Sequence, residues 1–452
     1  MNIKEWKKKS KDPQYTHFDR RISIENCWDE VSNPDRVKKH GFYPFIHYTS
    51  KMRKVKAKDK ERQIYYAAHK DGWIYRYYAF LLNECYNERA QQDDIDSVAV
   101  AYRTTHQGRN NIDFARDAFD FILKCSSCYV MIGDFTNFFD NLYHPYLKER
   151  LCDLLSVEQL PEDYYAVYKN VTRFSYIEFD ELLKFHNLSK RKADMCVFNK
   201  LDRALTPAQL RSFKAKIKRN PNLESQKGVP QGSPISAVLA NIYMLKADKE
   251  ISKYVKQLNG FYMRYSDDFI IVIPETSLHD FRKHYEMIIE IVGAAGGIEL
   301  KPEKTKAFSC MGTHIQSCIH EMFPEQCEGK NVIEFLGFAL VDGTVRLRDK
   351  TISRYYNKVY RKACTIYKNK GFTPKGKRIS EKEIYRLYSY KGSVYYRKVI
   401  GEDVSDDMRE RNFLDYLHTA HIKLKGYKFI DTITPRHMRK IRTMISRGRK
   451  QN

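Results

Sequence analysis

The sequence predicts an α+β fold from three observations. Short β-branched and aromatic runs at residues 129–132, 261–264 and 269–273 read as strands. Residues 111–123 place Ile112, Phe114, Ala115, Ala118, Phe119 and Ile122 at the spacing of an amphipathic helix. Beyond Leu347 the pattern is helical, basic and rich in tyrosine.

The elements follow in chain order. Residues 41–87 mix basic and aromatic side chains, including Lys51-Met52-Arg53-Lys54 and Lys58-Asp59-Lys60-Glu61-Arg62, and 73–86 read as an aromatic-rich helix. The strand at 129–132 runs into Gly133-Asp134. Residues 142–155, 158–185 and 206–218 look helical, the last starting at Thr206-Pro207, so the block between Asp140 and Gly228 reads as a helical insertion. Residues 235–245 form an apolar helix expected to pack on the sheet, and 281–292 form another, ended by Gly293 and Gly296-Gly297. Residues 368–379, with Gly371, Pro374 and Gly376, are the clearest loop of the C-terminal part.

A chain of 452 residues has room for two or three domains, and 42% hydrophobic with 13% aromatic residues supports a sizeable core and argues against a disordered chain. The net charge of +24 and pI near 9.4 call for a polyanionic partner. Nucleic acid suits it better than a membrane surface, because no basic amphipathic helix carries a large apolar face. Residues 345–452 hold 29 Lys/Arg against 10 Asp/Glu, so most of the excess is C-terminal. No apolar run approaches the roughly 20 residues of a membrane span, and the N-terminal residues lack a signal-peptide core, so no membrane partner and a cytoplasmic location are expected. Ten scattered cysteines read as free thiols. Cys125-Ser126-Ser127-Cys128 has no second pair to complete a zinc site and fits packing beside a strand; Cys310, His314, Cys318, His320 and Cys327 fit no zinc spacing.

Tyr265-Ser266-Asp267-Asp268 puts adjacent carboxylates at a tight turn between two strands. Aspartate suits turn chemistry by itself, but two like charges held together also invite a compensating divalent cation, and hard oxygen ligands suit Mg²⁺ or Mn²⁺. Asp134 ends a buried strand, where a ligand can be held rigidly, and with Asp267 and Asp268 it would give three carboxylates around one or two such ions. Gln226 to Ser236 contains Gly228, Pro230, Gly232 and Pro234, a loop opening a helix whose backbone can approach a substrate closely.

In order and spacing, Gly133 to Asp140 with Phe139, the loop Gln231-Gly232-Ser233-Pro234, and Tyr265-Ser266-Asp267-Asp268 resemble three successive palm motifs of reverse transcriptases. Leu300-Lys301-Pro302-Glu303-Lys304-Thr305-Lys306 resembles the next motif, and Phe335-Leu336-Gly337-Phe338 the primer-grip hairpin. Arg62-Gln63-Ile64 and Asp71, with Lys60, resemble the fingers segment. Val98 to Arg103 followed by Gly108 to Ala115 is similar to bacterial reverse transcriptases of abortive infection and phage defence.

The resemblance implies a right-hand polymerase fold: fingers within 1–110, a palm with an antiparallel sheet over 111–345 interrupted by the insertion at about 150–225, and a basic helical thumb over 346–452. It implies metal-binding carboxylates at Asp134, Asp267 and Asp268, with Lys304 near the departing pyrophosphate. Phe139 would crowd the sugar 2′ position, and Lys60, Arg62, Gln231, Gly232 and Tyr265 would contact nucleotide or template. Arg436, Arg439, Lys440 and Arg442 of the thumb would hold RNA.

The implied activity is RNA-directed DNA synthesis from dNTPs in a bacterial antiphage system, with a non-coding RNA as template or scaffold and a DNA product. Template-independent or protein-primed synthesis at the same site is one alternative; a maturase-like RNA-binding protein is another. A homo-oligomer stays open. The C-terminal part lacks a Val-Thr-Gly tripeptide, which speaks against a retron enzyme, and only Cys364 lies beyond Cys327, which speaks against a group II intron endonuclease domain.

Overall fold

The run Phe269-Ile270-Ile271-Val272-Ile273 has no polar alternation, as expected of a strand covered on both faces. The computed structural model describes residues 3–451 apart from 55–56, 107, 136, 301–304, 373–377, 405–410, 427 and 431–435, with backbone alone at 52–54, 57–60, 192 and 428–430. It places this run in β7 (Asp268–Pro274), inside a five-stranded sheet with β3 (Ser127–Asp134), β6 (Phe261–Tyr265), β8 (Lys306–Met311) and β9 (His314–Ser317). The order is β6-β7-β3-β8-β9 and every neighbour is antiparallel. This is the palm.

The two faces of the palm sheet belong to different cores. Met131, Phe269, Ile271 and Ile273 pack with the helices His69–Gln92, Ser236–Gln257 and Leu278–Ala294. Val130, Ile132, Ile270 and Val272 face the helix Asn111–Lys124, a second sheet and the C-terminal helices. That second sheet joins β10 (Ile333–Phe335), β11 (Phe338–Val341) and β12 (Thr344–Leu347) in antiparallel order, then β13 (Lys428–Ile430) parallel to β12. Among the C-terminal helices, Asp349–Lys368 lies close against His437–Lys450. A Cβ on Gly448 would come within 2.7 Å of the Ala363 Cβ, so the absence of a side chain permits the approach.

A third sheet, joining two strands of the expected fingers segment to two of the insertion, has the order β2-β1-β4-β5, built from β1 (Phe45–Lys54), β2 (Ala57–Tyr66), β4 (Ser175–Glu178) and β5 (Lys218–Arg219). Here the structure departs from the helical reading of 158–185 and 206–218. After the helix Glu162–Thr172 the chain turns into β4, whose Tyr176 and Ile177 pair in parallel with Phe45 and Ile46 of β1, and only then into the helix Phe179–Phe185. Thr206 caps the short helix Pro207–Ser212 as expected, but β5 follows and pairs with β4. Long-range pairing overrides local periodicity in both places. Among the described residues no helix is long and apolar enough to cross a membrane, and all ten cysteines are free thiols.

A buried ion pair fixes the hairpin of β6 and β7 to its supporting helix. Arg264 and Asp248 have fully buried side chains, with Arg264 Nη2 2.6 Å from Asp248 Oδ2 and Nε 2.9 Å from Oδ1. Tyr262 Oη donates a third hydrogen bond to Asp248 at 2.7 Å. Arg264 Nη1 donates to the Ser266 carbonyl at 2.9 Å and to Asn241 Oδ1 at 3.2 Å. Burial opposes the guanidinium charge, and the adjacent carboxylate more than offsets it, holding Arg264 above its ordinary pKa. The pair thus connects the helix Ser236–Gln257, strand β6 and the turn beyond it.

Arg264→Met should lower unfolding stability by about 3–5 kcal/mol, because it leaves the Asp248 carboxylate buried without its cation. Arg264→Met/Asp248→Leu should recover part of that loss in denaturant unfolding; a double variant no more stable than Arg264→Met would contradict this reading.

Candidate active site

Tyr265 and Asp268 face each other across the hairpin, leaving Ser266 and Asp267 as a two-residue turn with Ser266 at φ +62°. A positive φ at the first turn residue is the type II′ pattern that matches strand twist. Asp134 ends β3 and pairs directly with Asp268, so both side chains leave the face that also carries Val130 and Ile132. The Phe135 N–H donates to the Asp267 carbonyl at 3.1 Å, bringing the turn against the chain just past Asp134. Asp134 and Asp267 are half-buried and Asp268 is exposed.

Like charges directly opposite in a sheet destabilise it. The Asp267 carboxylate also makes no side-chain hydrogen bond or ion pair among the described residues. Three hard oxygen donors at one sheet end, one of them half-buried and unpartnered, fit a divalent cation such as Mg²⁺ or Mn²⁺. Among the described residues, no three His, Cys, Asp or Glu side chains are already gathered closely enough to grip an ion.

Gly133 makes room for the site's floor: a Cβ there would lie 2.6 Å from the Phe269 ring. That ring stacks on Phe135 at 5.5 Å. Past Phe135, Asn137 takes a left-handed conformation and a 3₁₀ turn, Phe138–Asp140, presents Phe139 half-buried. The Phe139 carbonyl accepts from Val229 N–H and the Leu142 carbonyl from Gly228 N–H, each at 2.9 Å. These bonds seat the loop leading to Gln231 alongside the segment that follows Asp134.

The loop then meets the fingers. The Tyr65 N–H of β2 donates to the Gln231 carbonyl at 2.8 Å. Gly232 has φ +105°, and a Cβ there would come within 3.0 Å of the Tyr65 carbonyl and 3.1 Å of Ile64 Cγ2. Both backbone and space call for glycine at this junction. The Ser233 hydroxyl is buried and has no hydrogen-bond partner among the described residues.

Arg62 is exposed on β2, cross-strand from Ser50. Lys60 lies on the same strand opposite Met52, its side chain outside the described residues, as is Lys304 altogether. Asp71, part of the segment that resembles the fingers, is buried. It accepts from His40 Nε2 at 2.6 Å and Tyr43 N–H at 2.8 Å, and burial raises its carboxyl pKa. Tyr265 is half-buried, its ring 6.2 Å from Phe114, and burial pushes its hydroxyl pKa up.

Val98 to Tyr102 has a local role that the sequence did not reveal. Arg264 N–H donates to the Val98 carbonyl at 2.8 Å, and Val100 N–H to the Arg264 carbonyl at 3.0 Å. Tyr102 Oη reaches Ser266 Oγ at 3.4 Å. At the hairpin that resembles a primer grip, Leu336 and Gly337 both have positive φ. The Leu336 carbonyl accepts from Asn111 Nδ2 at 2.9 Å, and the same amide donates to Tyr416 Oη at 2.9 Å, tying the turn to palm and C-terminal helices.

Arg436 immediately precedes the helix His437–Lys450, and Arg436, Arg439 and Arg442 are exposed. Lys440 is partly buried, its Nζ 5.1 Å from the Tyr356 ring, at a cavity of about 910 Å³ that Arg447 and Lys450 also line. A cavity of about 1150 Å³ flanks the helix Asp349–Lys368 and is lined by Arg354, Lys358, Arg361, Lys391 and Arg411. Sequence reading missed these cations, although Arg354, Lys358 and Arg361 lie at i, i+4 and i+7, a helical-face spacing.

Residues 101–340 match the family model described as reverse transcriptase (RNA-dependent DNA polymerase). A comparison with curated proteins finds no match. Similar solved structures include apo telomerase from Candida tropicalis truncated from its C-terminal domain (14% identity, 73% of this chain and 61% of that one, TM-score 0.37). Telomerase from Candida albicans in complex with a TWJ fragment of telomeric RNA gives 15% identity, 92% and 59% coverage and a TM-score of 0.40. Telomerase from Candida tropicalis with the same kind of fragment gives 15%, 95%, 63% and 0.39. This chain spans about three fifths of the length of those structures. With the match covering more than half of its residues, the chain belongs to the reverse transcriptase (RNA-dependent DNA polymerase) family.

Proposed function

We propose that the chain is an RNA-directed DNA polymerase whose nucleotidyl transfer takes place at Asp134, Asp267 and Asp268. The observation that carries this reading is the register of β3 and β7, which sets Asp134 opposite Asp268 with Asp267 in the adjoining turn. These three carboxylates would hold Mg²⁺ or Mn²⁺, which when bound supplies the positive charge that activates an attacking hydroxyl and offsets a leaving pyrophosphate. Phe139, seated between the Asp134 strand and the Gln231 loop, restricts room at the sugar 2′ position and so favours dNTPs.

Arg62 and Lys60 on the fingers strand orient phosphates, Arg62 as a planar fork. Gln231 and Gly232 present the loop backbone to nucleotide and template, Tyr265 supports the turn, and Lys304 serves the pyrophosphate. The basic thumb, with Arg436, Arg439, Lys440 and Arg442, holds a non-coding RNA used as template or scaffold. A role in bacterial antiphage defence, in the cytoplasm, is supported by the resemblance of Val98 to Ala115 to defence-associated enzymes.

Asp267→Asn should keep the fold and lower labelled dNTP incorporation at least about a hundredfold, or ~2.7 kcal/mol of barrier, when the protein is assayed with its bound nucleic acid and Mg²⁺. Equal label in both proteins would rule out this site. Phe139→Ala should raise ribonucleotide incorporation relative to dNTPs in competition assays, and an unchanged ratio would remove Phe139 from sugar selection. Changing Arg436, Arg439, Lys440 and Arg442 to Gln should flatten the salt dependence of RNA binding by about 0.7–0.9 per lost phosphate contact; an unchanged slope would place the RNA elsewhere.

A further inference from the structure

The block between Asp140 and Gly228 carries a groove lined by none of the candidate active-site residues. It has a volume of about 700 Å³ and opens between the helices His144–Leu155 and Glu162–Thr172 and the segment at 219–226. That size falls in the range of about 300–1,000 Å³ typical of ligand clefts. Lys148, Lys169, Arg173 and Arg219 line it, all exposed, and no Asp or Glu does.

Among the described residues, these four cations have no carboxylate partner, whereas several other cations of the block do. Elsewhere in the same block Lys184 and Lys216 share Glu181, Lys190 meets Asp180, Lys218 meets Glu178, and Arg150 meets Glu149 and Asp153. None of the four groove cations is in an ion pair among the described residues. Four unneutralised cations around one concavity raise a positive potential that a polyanion relieves. Tyr165 stands among them, 40% exposed, with Lys148 Nζ 5.5 Å from its ring and the Tyr168 ring stacked at 6.2 Å.

We infer that this groove binds a short stretch of single-stranded nucleic acid, its phosphates on Lys148, Lys169, Arg173 and Arg219 and a base on the Tyr165 face. Basic grooves with an exposed aromatic platform suit unpaired strands, whose bases are free to stack. A duplex would keep its bases from the ring. The groove is also wired to the loop of the candidate active site: His144 N–H donates to the Gln226 carbonyl at 2.8 Å, and His144 Nε2 lies 2.8 Å from the Gly228 carbonyl oxygen. A strand held there lies against the chain that leads to Gln231. The inference needs a nucleic-acid partner and does not need the chain to polymerise.

The test is fluorescence anisotropy of the full chain with labelled 12-nucleotide pyrimidine RNA and DNA over a KCl series. Lys148→Gln/Lys169→Gln/Arg173→Gln/Arg219→Gln should weaken binding tenfold or more and flatten the plot of log K against log salt by about 3 for four contacts. Tyr165→Ala should weaken binding about tenfold with the slope unchanged, since it removes stacking and no charge, and Tyr165→Phe should restore it. Loss with only one probe assigns the groove to RNA or to DNA. A control with Lys4, Lys8, Lys9 and Lys11 changed to Gln should keep the wild-type slope.

Wild-type affinity and slope in the groove variant would overturn the inference, as would an equal loss in the control. Primer extension by the same variants separates the two readings: inactive wild-type protein that still loses binding on groove substitution defeats the polymerase proposal alone.

Discussion

The buried pair of Arg264 and Asp248 is the constraint on which the candidate active site depends. A turn carrying two adjacent carboxylates opposite a third is electrostatically unfavourable, and a flexible hairpin would relax by moving them apart. Arg264 prevents this from below. Its guanidinium is held bidentately by Asp248 on the helix Ser236–Gln257, and its free Nη1 reaches the Ser266 carbonyl within the turn. The hairpin tip is therefore positioned by the helix beneath it as well as by its ladder.

The same cation reaches sideways. Asn241 accepts from Arg264 and donates to the Ala101 carbonyl at 3.0 Å, while the Arg264 backbone bridges to Val98 and Val100. Palm helix, palm strand and the 98–102 segment thus share one polar centre inside an apolar core. Such a centre costs desolvation, offset here by the close Arg264–Asp248 pairing and the hydrogen bonds around it. At the opposite side of the site, Gly232 and Tyr65 set how closely the fingers strand approaches the Gln231 loop. The two attachments define the space between them.

Much of this was legible in the residues. The apolar runs around 129–132 and 269–273, the carboxylates beside them and the glycine loop sit where sequence spacing put them, because strand and helix periodicity dominate in a core. The strands at 175–178 and 218–219 were not, since each is four residues or fewer and owes its form to a distant partner, the first to β1 and the second to β4. The sequence placed Arg264 only at the end of the strand run 261–264; an arginine inside Phe261-Tyr262-Met263-Arg264-Tyr265 was the signal that a buried partner exists. Nor did the motif containing Asp71 show that this residue is buried.

The central claim is that Asp134, Asp267 and Asp268 act together on divalent cations. Mn²⁺ binding, followed by electron paramagnetic resonance on the full chain with a chain-terminated primer–template and a dNTP, tests this most directly. The expected result is about two ions bound at the site in the wild-type complex, with at least one lost in Asp134→Asn. Equal Mn²⁺ uptake by the two proteins would contradict the account.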